Sequence, residues 1–263
     1  MKKNDARKRP QNPNFVPGIF NYCDRWCERC AFTTRCLQYA MEQEQRKQSG
    51  KAPTDHDTFW KNLEASLTLT SDLLAELARA HGVNLDERDP QTTALEPPTQ
   101  PRRTSGEHPL AKSAGAYSDL VDELFKEGEA ALREKEEEIL TRQKLGVGGV
   151  NEEIASLTDV VEILRWYQYQ IHVKLMRGLD GRSEREEPED FPKDSDGSVK
   201  VALIAMDRSI AAWMRMRDFF PGRADSILTL LVHLDRLRRA AEKEFPNARS
   251  FVRPGFDTDG AHK

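Results

Sequence analysis

Residues 151–177 read NEEIASLTDVVEILRWYQYQIHVKLMR, with apolar Ile154, Leu157, Val161, Leu164, Ile171 and Leu175 at spacings of three, four and seven. An α-helix turns once in about 3.6 residues, so these spacings gather all six side chains on one side. Such a stripe is buried best against other helices, which predicts antiparallel bundle packing. Gln168 falls on the same seam.

The flanking segments carry the same pattern. Before it, a helix is expected from about Ser118 to Lys144, with Leu120, Val121, Leu124, Phe125, Leu132 and Ile139 as its apolar positions and the charge run 133–138 as a solvated face. The glycines of Leu145-Gly146-Val147-Gly148-Gly149 follow no strand and precede no Gly-Lys-Ser/Thr, so they read as a hairpin between helices and not as a phosphate loop. After it, residues 178–198 form a polar loop containing Pro188 and Pro192. The next helix, from about Val199 to Phe220, is apolar over most of its circumference, and Ala202, Ala205, Ala211 and Ala212 would let neighbours approach closely. It is expected at the buried centre. Pro221-Gly222 ends it, and Asp225 or Ser226 caps a fifth helix whose inner face is Ile227, Leu230, Leu231, Leu234, Leu237 and Ala241. Pro246 stops that helix.

No segment alternates with period two, so the fold class is all-α: an antiparallel helical bundle over 113–246 with a small N-terminal cysteine-rich helical module at 20–50. Between them lie an amphipathic helix at 54–82, with Trp60, Leu63, Leu67, Leu74 and Leu77 as its stripe, and a proline-rich linker at 83–112. A flexible basic arm occupies 1–19, and an extended tail at 247–263 is expected to lie over the bundle.

The charged fraction is high at 32%, but 40 basic residues against 44 acidic ones leave a net charge of −4. No global field favours nucleic acid or a membrane surface, so a protein is the expected partner and a small-molecule substrate is unassigned. The first twenty residues have no apolar run behind their positive charges, and no later stretch approaches a spanning length. The protein is therefore expected in the cytoplasm, where thiols are kept reduced.

All four cysteines of the chain, Cys23, Cys27, Cys30 and Cys36, lie in one short segment with the spacing CxxxCxxCxxxxxC. Clustering of this kind implies chemistry, and in a reducing compartment ligation of one metal centre is the first reading. On a helix the first three would share one stripe spread over roughly 10 Å, too long for a compact centre, so the backbone must bend or stop near Cys30. Thr33 or Thr34 can cap a new helix starting near Arg35, with Cys36 in its first turn, where free amide groups favour a thiolate. Arg25, Arg29 and Arg35 add positive charge, and Trp26 and Phe32 could shield sulfur from water. An iron-sulfur cluster and a structural zinc ion both suit four thiolates. Thiol redox chemistry is the other reading, though a CxxC couple calls for a strand-and-helix context that is missing.

The run CERCAFTTRCLQYAM at 27–41 resembles the CxxCPVxxxCLxYAL segment of the WhiB-like iron-sulfur proteins. That resemblance implies a [4Fe-4S] cluster ligated by Cys27, Cys30 and Cys36, with Cys23 as the fourth ligand. In that family the first cysteine lies much farther upstream and a Gly-Trp-Gly-Gly type turn follows the cluster. Here Cys23 is four residues away and that turn is absent, so transcriptional regulation does not carry over with the cluster. The expected role is redox sensing, electron transfer or a cluster-dependent interaction, against a zinc-stabilised interaction scaffold.

Other candidates are judged against ordinary structural roles. None of the six histidines has Glu three residues before it, so the Glu-x-x-His pattern of a carboxylate-bridged metal pair is missing. His172 and His233 read as core or boundary residues, and Trp166, Tyr167 and Tyr169 as packing residues. Arg236, Arg238 and Arg239 could take phosphate, but positive charge also suits a helix C-terminus, and Asp235, Glu242 and Glu244 balance it. A pocket enzyme inside the bundle would require Gln168, His172 and Asp207 to converge.

Overall fold

The computed structural model describes residues 13–49, 64, 67, 68, 71, 75, 105–184 and 194–257. The chain forms two compact units, Met1–Pro17 with Arg29–Arg102, and Gly18–Glu28 with Arg103–Lys263. Their boundary falls inside the cysteine segment, between Glu28 and Arg29. Among the described residues the regular structure is helical, and the all-α class holds.

In the first unit, helix α1 spans Leu37–Ser49 and is preceded by a 3-10 turn at Thr33–Arg35. The threonines thus begin a tight turn, and the α-helix starts two residues later than the sequence suggests. Cys36 sits at the N-cap of α1, with extended backbone at φ −106° and ψ 113°, and its carbonyl accepts from Ala40 N–H at 3.1 Å. Of the helix expected at 54–82, residues 64, 67, 68, 71 and 75 are described and helical, with Leu67 exposed. The rest of that segment lies outside the described residues, as do 1–12 of the arm, 83–104 of the linker and 258–263 of the tail.

The second unit holds helices α2 (Pro109–Glu127), α3 (Glu129–Lys144), α4 (Val150–Glu184), α5 (Asp194–Phe219) and α6 (Ala224–Glu244). Helix α2 begins well before Ser118. Its proline occupies the first helical position, where no amide donor is needed, and the His108 side chain accepts from Leu110 N–H at 3.2 Å. The helix expected over 118–144 is two helices broken at Gly128, where a side chain's Cβ would come within 2.8 Å of the Leu124 carbonyl oxygen. Helices α4 and α5 likewise run into the expected 178–198 loop from both ends, leaving only 185–193 outside the described residues. The 145–149 hairpin joins α3 to α4, with Gly146 and Gly149 at positive φ.

Helix α5 packs along α4 and also against α6, and α2 packs on α4 and α6. The core gathers Leu164, Ile171 and Leu175 of α4, Val199, Leu203 and Met206 of α5, and Leu234 and Leu237 of α6. Helix α5 supplies the centre, with Trp213 at 0% exposure, although Ala211 faces outward. Gln168 is fully buried and satisfied: its Nε2 donates to Ser118 O at 3.0 Å while Ser118 Oγ donates to Gln168 O at 2.8 Å. The described part of the tail lies on this core, with a 3-10 turn at Ala248–Ser250 packed on α5 and Phe251 buried. No helix among the described residues is long and apolar enough to cross a membrane.

Two carboxylates tie the tail down. Burial acts to raise Asp207 and Asp257, but Arg249 and Arg238 hold the first below the usual carboxylate range, and Arg253 and Lys200 hold the second well below it. A depressed folded value gives stability that is fully present above the unfolded value of about 4 and is lost as pH falls through the folded one. The Asp257→Asn chain should therefore melt below the native chain at neutral pH, and the gap should close as pH drops below about 4. Thermal unfolding across that range reads it, and a gap that does not narrow in acid contradicts the assignment.

Candidate metal centre

Gly18–Glu28 packs as part of the bundle unit. Gly18 at φ 73° starts a 3-10 turn, Ile19–Tyr22, with Ile19 buried. The Tyr22 ring lies 4.7 Å from the Phe251 ring, and its hydroxyl donates to Asp194 Oδ1 at 2.9 Å. Arg25 adopts φ 57°, a left-handed conformation uncommon for a residue with a side chain, so the backbone breaks between Cys23 and Cys27, ahead of the bend expected near Cys30. A short 3-10 turn at Cys27–Arg29 follows.

One face of α4 carries this segment. Trp166, Gln170, Lys174 and Arg177 are spaced four, four and three apart, so they share a side of the helix. Residues 21–26 run antiparallel along it. The Arg177 guanidinium donates to Asn21 O at 3.4 Å, and Gln170 Nε2 and Trp166 Nε1 both donate to Asp24 O, at 2.5 and 3.0 Å. The Asp24 carboxylate accepts from Tyr167 O–H at 2.7 Å and from Arg208 Nη1 at 2.8 Å. Trp26 stacks on Trp166 with centroids 4.9 Å apart and meets Tyr167 edge-on at 5.9 Å. Burial and the adjacent Asp24 carboxylate push the Tyr167 phenol above its usual range, so it stays a donor.

Cys23 is set in this cradle, its Sγ donating to Phe20 O at 3.4 Å. Burial pushes its thiol up, while the Arg25 backbone amide and the Lys174 ammonium pull it down. Lys174 is 8% exposed, and burial lowers its ammonium while Cys23 acts to raise it.

In the other unit, Arg35 O accepts from Val16 N–H at 3.0 Å, which ties the start of the chain to the Thr33–Arg35 turn. Phe32 N–H points at Cys30 Sγ at 3.4 Å. An amide aimed at sulfur favours the thiolate and accompanies metal-bound cysteines. Cys36 N–H donates to Thr33 O at 3.3 Å.

None of the four cysteines is in a disulfide, and each is half-buried. Soft thiolate donors suit iron-sulfur clusters and zinc, so the donor chemistry fits the implied centre. The gathering does not: among the described residues no group of three or more His, Cys, Asp or Glu is placed to hold a metal ion.

The other candidates are engaged elsewhere. Gln168 is bonded to Ser118, His172 Nδ1 donates to Ala111 O at 3.0 Å, and Asp207 pairs with Arg238 at 3.1 Å and with Arg249. These three go to separate places, and the pocket that would have joined them is not formed. His233 Nε2 donates to Ser113 O at 2.8 Å, the boundary role expected of it. Arg238 and Arg239 both pair with Asp235, and Glu242 turns to Arg249 instead. Trp166 and Tyr167 exceed the packing role expected of them, and Asp24, Gln170, Lys174 and Arg208 were not singled out from the sequence at all. Comparison with family models, curated proteins and solved structures finds no match to this chain.

Proposed function

We propose that Cys23, Cys27, Cys30 and Cys36 together ligate one metal centre, a [4Fe-4S] cluster, in a cytoplasmic protein that serves redox sensing, electron transfer or a cluster-dependent interaction with a protein partner. The observation that carries the reading is the concentration of every thiol of the chain in fourteen residues, none of them in a disulfide. The amide directed at Cys30 Sγ and the resemblance of 27–41 to the WhiB-like cluster segment support it further.

On this reading Cys23, Cys27, Cys30 and Cys36 would hold the metal, and a thiolate site of this kind would gain its free energy from the metal itself. The bundle then contributes a fixed anchor for Cys23 through the contacts of Asp24 and Trp26 with α4. When bound, a cluster would supply one-electron redox chemistry or a ligand set sensitive to oxidants.

Purification of the full chain without oxygen should give a brown protein with iron and inorganic sulfide in equal amounts, and Cys30→Ser or Cys36→Ser should lose most of both. Stoichiometric zinc without a visible chromophore would transfer the site to the zinc-stabilised scaffold reading. A colourless protein free of both metals would remove metal ligation altogether.

A further inference from the structure

Helix α6 carries two stripes, and the core uses one of them. Ile227, Leu230, Leu234, Leu237 and Ala241 face inward and are buried. Leu228, Val232, Arg236 and Arg239 follow one another at spacings of four, four and three on another side of the helix, apolar at its start and basic toward its end. Leu228 is 51% exposed and Val232 41%. Scattered exposed apolar residues are ordinary on a protein surface, and a contiguous set is not. Helix α5 makes this set contiguous. Its Ile210, Met214 and Arg217, spaced four and three apart, line the same surface, with Met214 51% exposed.

Two open grooves result, of about 520 and 490 Å³, and they adjoin at Val232 and Arg236, which line both. In the larger one Arg217, Arg236, Arg238 and Arg239 stand against a single carboxylate, Asp235. That carboxylate is taken up by Arg238 at 2.5 Å and Arg239 at 2.8 Å, and Arg238 also reaches Asp207 at 3.1 Å. Arg217 and Arg236 have no ion pair among the described residues. The smaller groove adds one acid, Asp225, and His233, which is bonded to Ser113. In a chain with a net charge of −4, this surface is a local reversal of sign. Helices α5 and α6 run antiparallel from the Pro221–Arg223 turn, so Arg217 lies toward one end of the apolar strip and Arg239 toward the other.

We propose that this face of α5 and α6 is a docking surface for an acidic amphipathic helix of a protein partner. The partner lays its apolar side on Ile210, Met214 and Val232 and directs carboxylates to Arg217, Arg236 and Arg239. Helix-in-groove recognition divides its labour in this way: apolar anchors at spacings of three and four give affinity, and charge at the rim sets orientation. From Leu228 to Arg239 the strip runs about 16 Å along α6, room for three turns of a partner helix. A nucleic acid fits the surface less well. The lining of the larger groove has no aromatic ring for bases to stack on, and it places Asp235 and exposed apolar side chains where phosphates would lie. The inference is independent of the metal centre, since every residue it invokes belongs to α5 or α6.

The test titrates the full chain into a fluorescein-labelled helical peptide of about four turns, with Leu at spacings of three and four and Glu beside them, and follows anisotropy. A twin peptide with Lys in place of Glu is the control. The Glu peptide should bind, more weakly as salt rises, and the twin should bind at least about tenfold less tightly. Val232→Asp and Arg236→Glu should each weaken the Glu peptide by about tenfold or more. The double variant Arg217→Glu, Arg236→Glu should take up the Lys peptide instead. These side chains are exposed, and an unchanged urea midpoint checks that the variants fold; should Val232→Asp not fold, Val232→Ser carries the same comparison. Failure of the Glu peptide to bind, equal binding of the two peptides, or equal binding by native and Val232 variants would overturn the proposal. Tighter binding of single-stranded DNA or phosphatidylserine vesicles, lost in Arg236→Glu, would overturn it in favour of a polyanion. A native dimer in sedimentation that Val232→Asp dissociates would overturn it in favour of a second copy of this chain.

Discussion

Trp213→Ala should lower the stability of the bundle by about 3–5 kcal/mol, the range for truncating a buried aromatic side chain. The side chain is 0% exposed on α5, with its ring 6.0 Å from that of Phe125. Its indole N–H donates to Tyr117 Oη at 3.0 Å, and Tyr117 is itself fully buried, with its phenol pushed up to about 12 by that burial. Truncation thus opens a cavity and strips the Tyr117 oxygen of its donor. A half-open pocket of about 30 Å³ lies beside Trp213, Phe125 and Ile227. Trp213→Phe retains most of the bulk and should cost less, roughly 1–3 kcal/mol for the unsatisfied hydroxyl. Urea unfolding measures both as midpoint shifts at an unchanged slope. A loss below about 1 kcal/mol for the alanine variant would mean that α5 is not the centre of the core.

The second large effect is expected at Gly197, in the first turn of α5. A Cβ there would overlap the Tyr22 ring, with Cδ1 at 2.5 Å, and would lie 2.7 Å from Phe251 Cζ. Neither ring can easily retreat. They pack on one another, Tyr22 is bonded to Asp194, and the backbone beyond Phe251 is held through Asp257 by Lys200 at 2.8 Å. Gly197→Val should therefore expel Tyr22 from its seat, at a cost above the roughly 1–3 kcal/mol of ordinary overpacking. Helices α2 to α6 should keep their far-ultraviolet signal while 18–28 comes away, so brief trypsin treatment should cut after Arg25 in the variant and spare the native chain. Equal resistance to trypsin would show that Tyr22 does not hold this segment.

How far the sequence leads is visible at particular residues. The stripe from Ile154 to Leu175, the apolar girth of α5 and the inner face of α6 are periodic, and period survives any detail of packing. The start of α2 was hidden because Pro109 reads as a breaker inside a proline-rich stretch, although at the first helical position it assists. The split at Gly128 was hidden because a single glycine among good helix formers is a weak stop.

At the candidate metal centre the cysteines were legible from spacing, but the partner surface on α4 was not. Trp166, Gln170, Lys174 and Arg177 carry helical spacing in a polar and aromatic set, and a scan for apolar periodicity passes over such a face. Asp24 gave no local signal, since its partners Tyr167 and Arg208 lie more than 140 positions away. The left-handed backbone at Arg25 is equally silent, because nothing about arginine announces positive φ.

The stacking of Trp26 on Trp166 has a use outside stability. Two indoles at 4.9 Å, one of them next to Cys27, form a chromophore pair whose near-ultraviolet dichroism depends on their mutual orientation. A cluster that absorbs where tryptophan emits would quench their light as well. The chain thus carries an optical probe of its own cysteine segment, readable without any label.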